Sequence, residues 1–319
     1  MDARERTAPV AAGVVAIDTL MAGARELNAV YLVRAAEPCL VEAGPGADHE
    51  RLSASLDALG VGPADLAHVV VTHIHMDHAG GAGALARRFP NATVWVHEIG
   101  APHLADPSRL IASTARTYGE DRMHGLYGET LPVDGQRIRA VLDGDRISLG
   151  DRSLTVVHTP GHASHHIALH DDASGAMWSG EAIGTYLPWA SCFRPALPPP
   201  EVDVEAALAT IDAMRARRPT ALLTSHFGPV PDPSSAFDRA RDRIRAWADD
   251  VARALRTDPD AAIDDVTELL ELRARTEFEA DSGRPFERDR YDVLGSIRMN
   301  AQGLSRYWRK RWEREAAEA

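Results

Sequence analysis

Four polar side chains, of residue types that can bind metals, come directly after an apolar run in VVVTHIHMDHAGGAG, residues 69–83. They are His73, His75, Asp77 and His78. The preceding AHVVVT is continuously apolar, which predicts a strand buried on both faces in a sheet covered by helices. Glycines and helix formers follow the cluster. We therefore expect the four side chains on a loop at a strand end, where a rigid scaffold positions groups that remain free for chemistry.

The residue types of this cluster indicate metal binding. Imidazole nitrogen and carboxylate oxygen are ordinary zinc ligands at about 2.0 to 2.2 Å, and mixtures of the two also suit iron and manganese. A single histidine is more often a core or surface residue, but this clustering behind a buried strand argues against that interpretation. Four ligands are too many for one open catalytic metal, so the loop provides enough ligands to begin two metal sites.

Three further residues occupy comparable positions after strand-like runs. They are His162 in HTPGHASHH, Glu181 in MWSGEAIG and His226 in LLTSHFGP. Each is weak evidence alone. Together with the first cluster they make up two sets of three ligands and one shared carboxylate.

The organisation of the chain indicates an α/β (α+β) protein. In the first half, strand-like runs alternate with helical patterns, including a helix over residues 50–59. Strand follows strand over residues 138–184, which predicts a second sheet, and a helix is expected over 202–216. From about residue 234 the pattern is helical and highly charged. We therefore expect a catalytic domain over residues 1–233 and a helical C-terminal extension over residues 234–319.

The last helix carries an apolar stripe at spacings of four, four, three and four: Val293, Ile297, Ala301, Leu304 and Trp308. Such a stripe packs against another surface. That surface is either the main domain or a partner subunit, and the second alternative would make the protein a homodimer.

Composition bears on partners and on location. The formal net charge of -12 disfavours nucleic acid and anionic lipid as partners. No apolar run of about 18 residues occurs, so no membrane span is expected. Cys39 and Cys192 lie far apart without CxxC spacing, which fits a reducing cytoplasm. The apolar stretch at residues 10–23 is interrupted by Asp18, and we interpret it as a strand rather than a signal peptide.

The motif order THIHMDHAGG, TPGHASHH, SGEAIG, SHFG resembles the metallo-β-lactamase-fold hydrolase superfamily, with glyoxalase II and lactonase-like members as the nearest in style. The resemblance covers roughly residues 12–230. It implies a four-layer αββα sandwich with two metal ions at one edge. By motif position, the first metal would be held by His73, His75 and His162, and the second by Asp77, His78 and His226.

One position departs from the pattern of that family. Glu181 stands where the family usually has a bridging aspartate, and the longer side chain either bridges the metals, binds one of them or lies behind the ligands. His166 matches a histidine that is mostly structural in the family, and we expect it outside the ligand set. Zinc is the expected metal, with iron or manganese as alternatives.

The expected function is hydrolysis of a small ester, lactone or thioester by a metal-bound hydroxide. Two divalent cations lower the pKa of a water, and Asp77 would accept its hydrogen bond or its proton. No GxSxG motif provides a competing nucleophile. One alternative is a diiron protein that performs oxygen or sulfur redox chemistry. Another is a non-enzymatic protein in which the metals only stabilise the fold and the helical extension binds a partner.

The segment after Glu181 contains the expected substrate-binding residues, Tyr186, Trp189, Phe193 and Arg194. Aromatic rings with one cation would suit an acyl or aryl substrate that carries a carboxylate. The alternative is a hydrophobic plug that seats the helical extension. Tyr118, His124 and Tyr127 are weaker candidates, and no function is assigned to His97, His103, His158, His165 and His170. The basic residues Arg309, Lys310, Arg311 and Arg314 are interpreted as a solvated helix end.

Overall fold

The computed structural model describes residues 2–318 of the chain. These residues form two compact units. The first unit contains the residues up to His158, together with His165–Gly180 and Pro219–Pro231. The second contains Thr159–Ser164, Glu181–Arg218 and the residues from Asp232 onward.

The chain alternates strands and helices up to its last third, which is helical. The strands are β1 Thr7–Ala11, β2 Val14–Asp18, β3 Ala29–Val33, β4 Cys39–Val41, β5 His68–Val70, β6 Thr93–His97, β7 Ile138–Val141, β8 Arg146–Ser148, β9 Ser153–His158, β10 Ile167–Asp171, β11 Ala176–Gly180, β12 Thr185–Leu187, β13 Cys192–Arg194, β14 Ala221–Thr224 and β15 Pro229–Val230. The helices are α1 His49–Ala58, α2 Met76–Ala79, α3 Ala82–Arg88, α4 Ala101–Ala105, α5 Ser108–Tyr118, α6 Glu120–Tyr127, α7 Val204–Ala216, α8 Pro233–Thr257, α9 Ile263–Ser282, α10 Arg288–Tyr291 and α11 Ser296–Glu318.

The first sheet runs in the order β1-β2-β3-β4-β5-β6-β7. Its first four strands pair antiparallel, and β4 to β7 pair parallel. The surroundings of residues 69–71 explain why the centre of AHVVVT consists of three apolar side chains. Val69 and Val71 pack in a core with α1 and α3 on one face of the sheet, and Val70 packs in a second core on the other face. The expected strand buried on both faces is confirmed.

The second sheet runs in the order β15-β14-β11-β10-β9-β8. Trp178 and Leu223 of this sheet share a core with Tyr31 and Val41 of the first sheet, so the two sheets pack face to face. Because β10 is antiparallel to β9 and to β11, and β11 is parallel to β14, the strands β9, β11 and β14 all run in one direction. His162, Glu181 and His226 each follow the carboxyl end of one of these three strands.

In the second unit, α11 contacts α8 and α9. Ile297, Ala301 and Leu304 of the predicted stripe are buried, and the indole nitrogen of Trp308 donates to the carbonyl of Ala248 in α8 at 2.8 Å. The stripe therefore packs within its own chain. The homodimer stays a prediction.

Three local expectations are confirmed by the element bounds. A strand, β2, occupies the centre of the stretch 10–23, α1 covers the helix expected over 50–59, and α7 covers that over 202–216. Among the described helices, none combines the length and hydropathy needed to cross a membrane. The chain from residue 106 to residue 135, whose pattern is irregular in the sequence, contains the helices α5 and α6.

Candidate metal centre

The loop after β5 brings its histidines together at the start of a short helix. The Nε2 atom of His73 and the Nδ1 atom of His75 lie 3.0 Å apart. The carbonyl of His75 accepts from the backbone N–H groups of His78 and Ala79, which begins α2 at Met76. Strand, tight turn and helix therefore present the four expected side chains from one short segment.

A second group of expected ligands in the first unit is arranged around Asp77. Its Oδ2 atom lies 3.4 Å from Nε2 of His78 and 3.3 Å from Nε2 of His226. All three side chains are buried. Burial alone would raise the pKa of Asp77, but the imidazoles of His78 and His226 hold it well below its ordinary value. Asp77 is therefore a carboxylate throughout the physiological pH range.

The second unit contains a pair with the same spacing. Nε2 of His162 lies 3.1 Å from Oε2 of Glu181, and both residues are buried. The four distances between donor atoms thus run from 3.0 to 3.4 Å. Two ligands bound tetrahedrally to zinc at about 2.0 to 2.1 Å lie about 3.3 Å from each other. The donor set and its spacing fit divalent metal ions.

Four of the five expected imidazole ligands are held from behind through their Nδ1 atoms, whereas Nδ1 of His75 faces Nε2 of His73. The partners are Thr72 Oγ1 for His73 at 3.0 Å, a carboxylate oxygen of Glu42 for His78 at 3.2 Å, the Ala196 carbonyl for His162 at 2.9 Å and the Leu27 carbonyl for His226 at 2.8 Å. These acceptors keep the proton on Nδ1 and leave the lone pair on Nε2, the atom that faces the neighbouring donor. Metal-binding histidines are held in this way in proteins.

Glu42 was not recognised from the sequence, and it connects two loops that carry expected ligands, the one after β5 and the one after β14. Its Oε1 atom accepts from Thr72 Oγ1 at 2.6 Å, from Ser225 Oγ at 2.6 Å and from His78 Nδ1 at 3.2 Å. Its Oε2 atom accepts from the Thr72 backbone N–H at 3.2 Å. Because Thr72 donates its hydroxyl proton to Glu42, its oxygen can accept from Nδ1 of His73. One buried carboxylate therefore orients both His73 and His78.

The backbone at Glu42 is strained, with a φ of +72° in the left-handed region. Side chains other than glycine rarely adopt this region, and strain of this kind persists at functional positions. The signal in the sequence was an acid at the end of the buried run CLVEAG. Like His73 and His226, Glu42 lies within three residues of the carboxyl end of a strand.

His166, expected outside the ligand set, is buried next to His73. The two ring centroids lie 4.9 Å apart at 36°. A Cβ atom on Gly180 would come within 2.3 Å of Nε2 of His166, so only glycine allows β11 to pass this ring. His166 therefore packs directly behind the ligand loop.

The four expected substrate-binding residues lie in the second unit. The guanidinium of Arg194 is buried, donates to the Tyr291 carbonyl and lies over the Tyr291 ring at 5.3 Å. Tyr186 and Phe193 are buried and pack on each other at 5.0 Å, and the half-buried Trp189 packs on Phe278 of α9 at 5.4 Å. These contacts fit the alternative that the segment seats the helical extension, and contact with substrate stays a prediction.

The comparisons with known proteins agree with this geometry. The sequence model of the metallo-beta-lactamase superfamily matches residues 23–226. The chain belongs to this superfamily. The metallo-beta-lactamase family protein TTHA1429 from Thermus thermophilus has the same fold, with a TM-score of 0.59, 20% identity and coverage of 83% of this chain and 89% of that chain. The expected metallo-β-lactamase fold, followed by a helical C-terminal region, is confirmed.

Two relatives within the superfamily are hydrolases by name. The chain is 33% identical over 178 residues to the acyl-coenzyme A thioesterase MBLAC2 of Gallus gallus, a match that covers 50% of this chain and 60% of that protein. It is 30% identical over 161 residues to the hydroxyacylglutathione hydrolase of Aeromonas salmonicida (strain A449), with coverage of 49% and 46%. The matches thus span roughly half of each relative's length.

Proposed function

We propose that the protein is a two-metal hydrolase that cleaves thioesters. In this proposal His73, His75 and His162 hold one metal ion, Asp77, His78 and His226 hold the other, and Glu181 is shared between them. The observation that carries it is the common spacing of the donor atoms, 3.0 to 3.4 Å, with an acceptor behind Nδ1 of four of the five histidines. The hydrolase relatives support the reaction class.

Divalent ions bound at these residues supply a water whose pKa lies near neutrality and polarise the substrate carbonyl. The protein's own side chains hold that water and orient its proton. Asp77 is ionised, buried and beside His78 and His226, so it can accept the hydrogen bond of an attacking water and orient it. Glu42 and the Leu27 carbonyl keep His78 and His226 from rotating while this happens.

The protonation state of Asp77 favours thioesters over alkyl esters. A carboxylate with a lowered pKa accepts a hydrogen bond from a water, but it is a weak base and has no proton to give to a leaving group. A thiol has a pKa near 8.5, so a thiolate departs without being protonated, whereas an alkoxide needs a proton donor. Both named relatives also act on thioesters, acyl-coenzyme A in one and hydroxyacylglutathione in the other. Lactones and activated esters come second in the proposal.

Elemental analysis combined with a thioester assay tests the proposal. The protein is purified without added metal, its metal content is measured, and hydrolysis of acyl-coenzyme A, lactoylglutathione, a homoserine lactone and nitrophenyl esters is followed. We expect about two zinc ions per chain and the highest kcat/KM on a thioester. His73→Ala and Asp77→Asn should each reduce kcat by at least about a hundredfold with the fold retained. The matched control is His103→Ala in α4, which should keep full activity.

Four outcomes would overturn the proposal or redirect it. Full activity in Asp77→Asn with both metals bound would refute the role of this carboxylate. Two irons with no hydrolysis would favour the redox alternative, and manganese with hydrolysis would change only the metal. Folding that depends on metal, without turnover of any substrate, would favour the non-enzymatic hypothesis.

A further inference from the structure

The last helix, α11, carries a buried asparagine, Asn300, beside its apolar stripe. A buried amide destabilises a protein unless its hydrogen bonds are made. Oδ1 of Asn300 accepts from the backbone N–H of Leu197 at 2.7 Å, and Nδ2 donates to the carbonyls of Pro195 at 2.9 Å and Ser296 at 2.8 Å. A flipped amide would oppose all three partners, so these contacts set its orientation. One side chain of the helical extension thus binds the backbone of residues 195–197.

The backbone that Asn300 binds also binds an expected metal ligand. The carbonyl of Ala196 accepts from Nδ1 of His162 at 2.9 Å. This carbonyl and the N–H of Leu197 belong to one peptide group, which is planar and directs the two groups in opposite directions. Asn300 therefore holds one end of the peptide, and the imidazole of His162 is bound to the other end. Two consecutive hydrogen bonds connect α11 to His162.

The backbone of α11 also lies directly against this segment. A Cβ atom on Gly303 would come within 2.0 Å of the carbonyl oxygen of Leu197, so only glycine permits the approach. Nε of Arg306 donates to the carbonyl of Pro200 at 3.3 Å. Asn300, Gly303 and Arg306 follow one another at spacings of three, which places them on one side of the helix. That side of α11 is fitted to residues 195–200.

The loop around His162 has other supports for its backbone. The carbonyl of Gly161 accepts from the backbone N–H of Asp203 at 3.0 Å. The backbone N–H of Ser164 donates to the carboxylate of Glu201 at 2.9 Å. Loss of the contact from α11 should therefore loosen the imidazole ring and its acceptor while the loop itself stays in place.

We propose that Asn300 is a positioning residue that orients His162 for metal binding through the peptide between Ala196 and Leu197. This inference rests on the proposed function, in which His162 binds the first metal ion. A fixed acceptor keeps the proton of the imidazole on Nδ1 and the lone pair on Nε2, and supports of this kind contribute about 10-fold to 100-fold to metal affinity. The helical extension is thereby part of the metal centre without supplying a ligand.

A double-mutant cycle with His162 tests the proposal. The affinities for two zinc ions are measured by competition with a chromophoric chelator in the wild type, Asn300→Leu, His162→Ala and the double variant. Asn300→Leu preserves the approximate size of the side chain and removes its three hydrogen bonds. It should weaken one zinc about tenfold or more and the other by less than about twofold. In the His162→Ala background it should change either affinity by less than about twofold, because no imidazole remains to be oriented.

Trp308→Phe is the matched control on the same helix. It removes the hydrogen bond that α11 donates to the carbonyl of Ala248 in α8, and it leaves the contacts with residues 195–197 intact. Both zinc affinities should stay within about twofold of the wild type. If Asn300→Leu does not fold, Asn300→Ser is taken through the same cycle, because the smaller side chain leaves room for a water. It should weaken one zinc about threefold or more.

The outcomes separate this inference from the proposed function. Wild-type zinc affinity in the folded Asn300 variant, or an equal loss with and without His162, overturns the inference. A loss of the same size in Trp308→Phe also overturns it, because a loosened helix would then be sufficient. Zinc binding without hydrolysis in the wild type overturns the proposed function alone, and the cycle still decides the role of Asn300. A wild type that binds no metal overturns both.

Discussion

Glu42→Gln is the substitution that most directly tests how the metal centre is held. The change preserves shape and removes one charge from a fully buried side chain that accepts four hydrogen bonds. If the amide oxygen takes the place of Oε1, it still accepts from Thr72, Ser225 and His78. The amide NH₂ then faces the backbone N–H of Thr72, 3.2 Å from the present oxygen. Two buried donors would oppose each other, and the flipped amide would place NH₂ against three donors.

The cost of this change follows from those contacts. Each buried donor left without an acceptor costs about 1 to 3 kcal/mol, and hydrogen bonds to a charged acceptor are stronger than those to a neutral one. We expect the free energy of unfolding of the metal-free protein to fall by about 3 kcal/mol. His73, held through Thr72, and His78 each lose a charged support, so affinity should fall about 10-fold to 100-fold for each of the two metals.

Competition with a chromophoric chelator measures both metal affinities, and thermal unfolding in a chelator measures the stability of the metal-free protein. Glu37→Gln is the matched control, because Glu37 is an exposed glutamate whose side chain contacts His68, at 3.1 Å. It should change stability by less than about 0.5 kcal/mol. The reasoning is refuted if Glu42→Gln binds two metals as tightly as the wild type and unfolds at the same temperature.

Three further substitutions probe separate parts of the site. Glu181→Asp shortens the carboxylate by one methylene and should weaken the second metal at least about tenfold; unchanged affinity in the chelator competition would place Glu181 outside the ligand set. Gly100→Ala forces a Cβ against Ile74 and should cost about 1 to 3 kcal/mol in thermal unfolding, whereas Gly125→Ala, in open space on α6, should be neutral or stabilising. The pKa of His97 is lowered in the folded state, so this residue contributes stability above its unfolded pKa near 6.5, and that contribution is lost as the pH falls. The Tm of His97→Asn should therefore fall less than that of the wild type between pH 7.5 and 5. Equal falls in Tm would contradict this.

The parts of the site that could be predicted are those where one short segment carries the whole signal. The continuous apolar run of AHVVVT requires a strand buried on both faces, and polar residues right after such a strand have no structural reason to be there. Residues 73–78 could be recognised for this reason. His226 follows β14 in the same way. His162 and Glu181 also follow strand-like runs, and these two side chains lie 3.1 Å apart.

The supports behind the ligands could not be predicted because their partners are remote in sequence. Glu42 meets Thr72 across 30 positions and Ser225 across 183. Its one local signal, an acid directly after a buried run, is shared with the many glutamates that end strands at the surface. The role of Arg194 was hidden in the same way, since its backbone acceptor, Tyr291, lies 97 positions further along the chain.

The direction of the strands explains where the expected ligands lie. These residues follow the carboxyl ends of β5, β9, β11 and β14, and Glu42 follows the carboxyl end of β4. Because the contacts of Glu42 reach Thr72, His78 and Ser225, a change at Glu42 should alter metal content before it alters anything else.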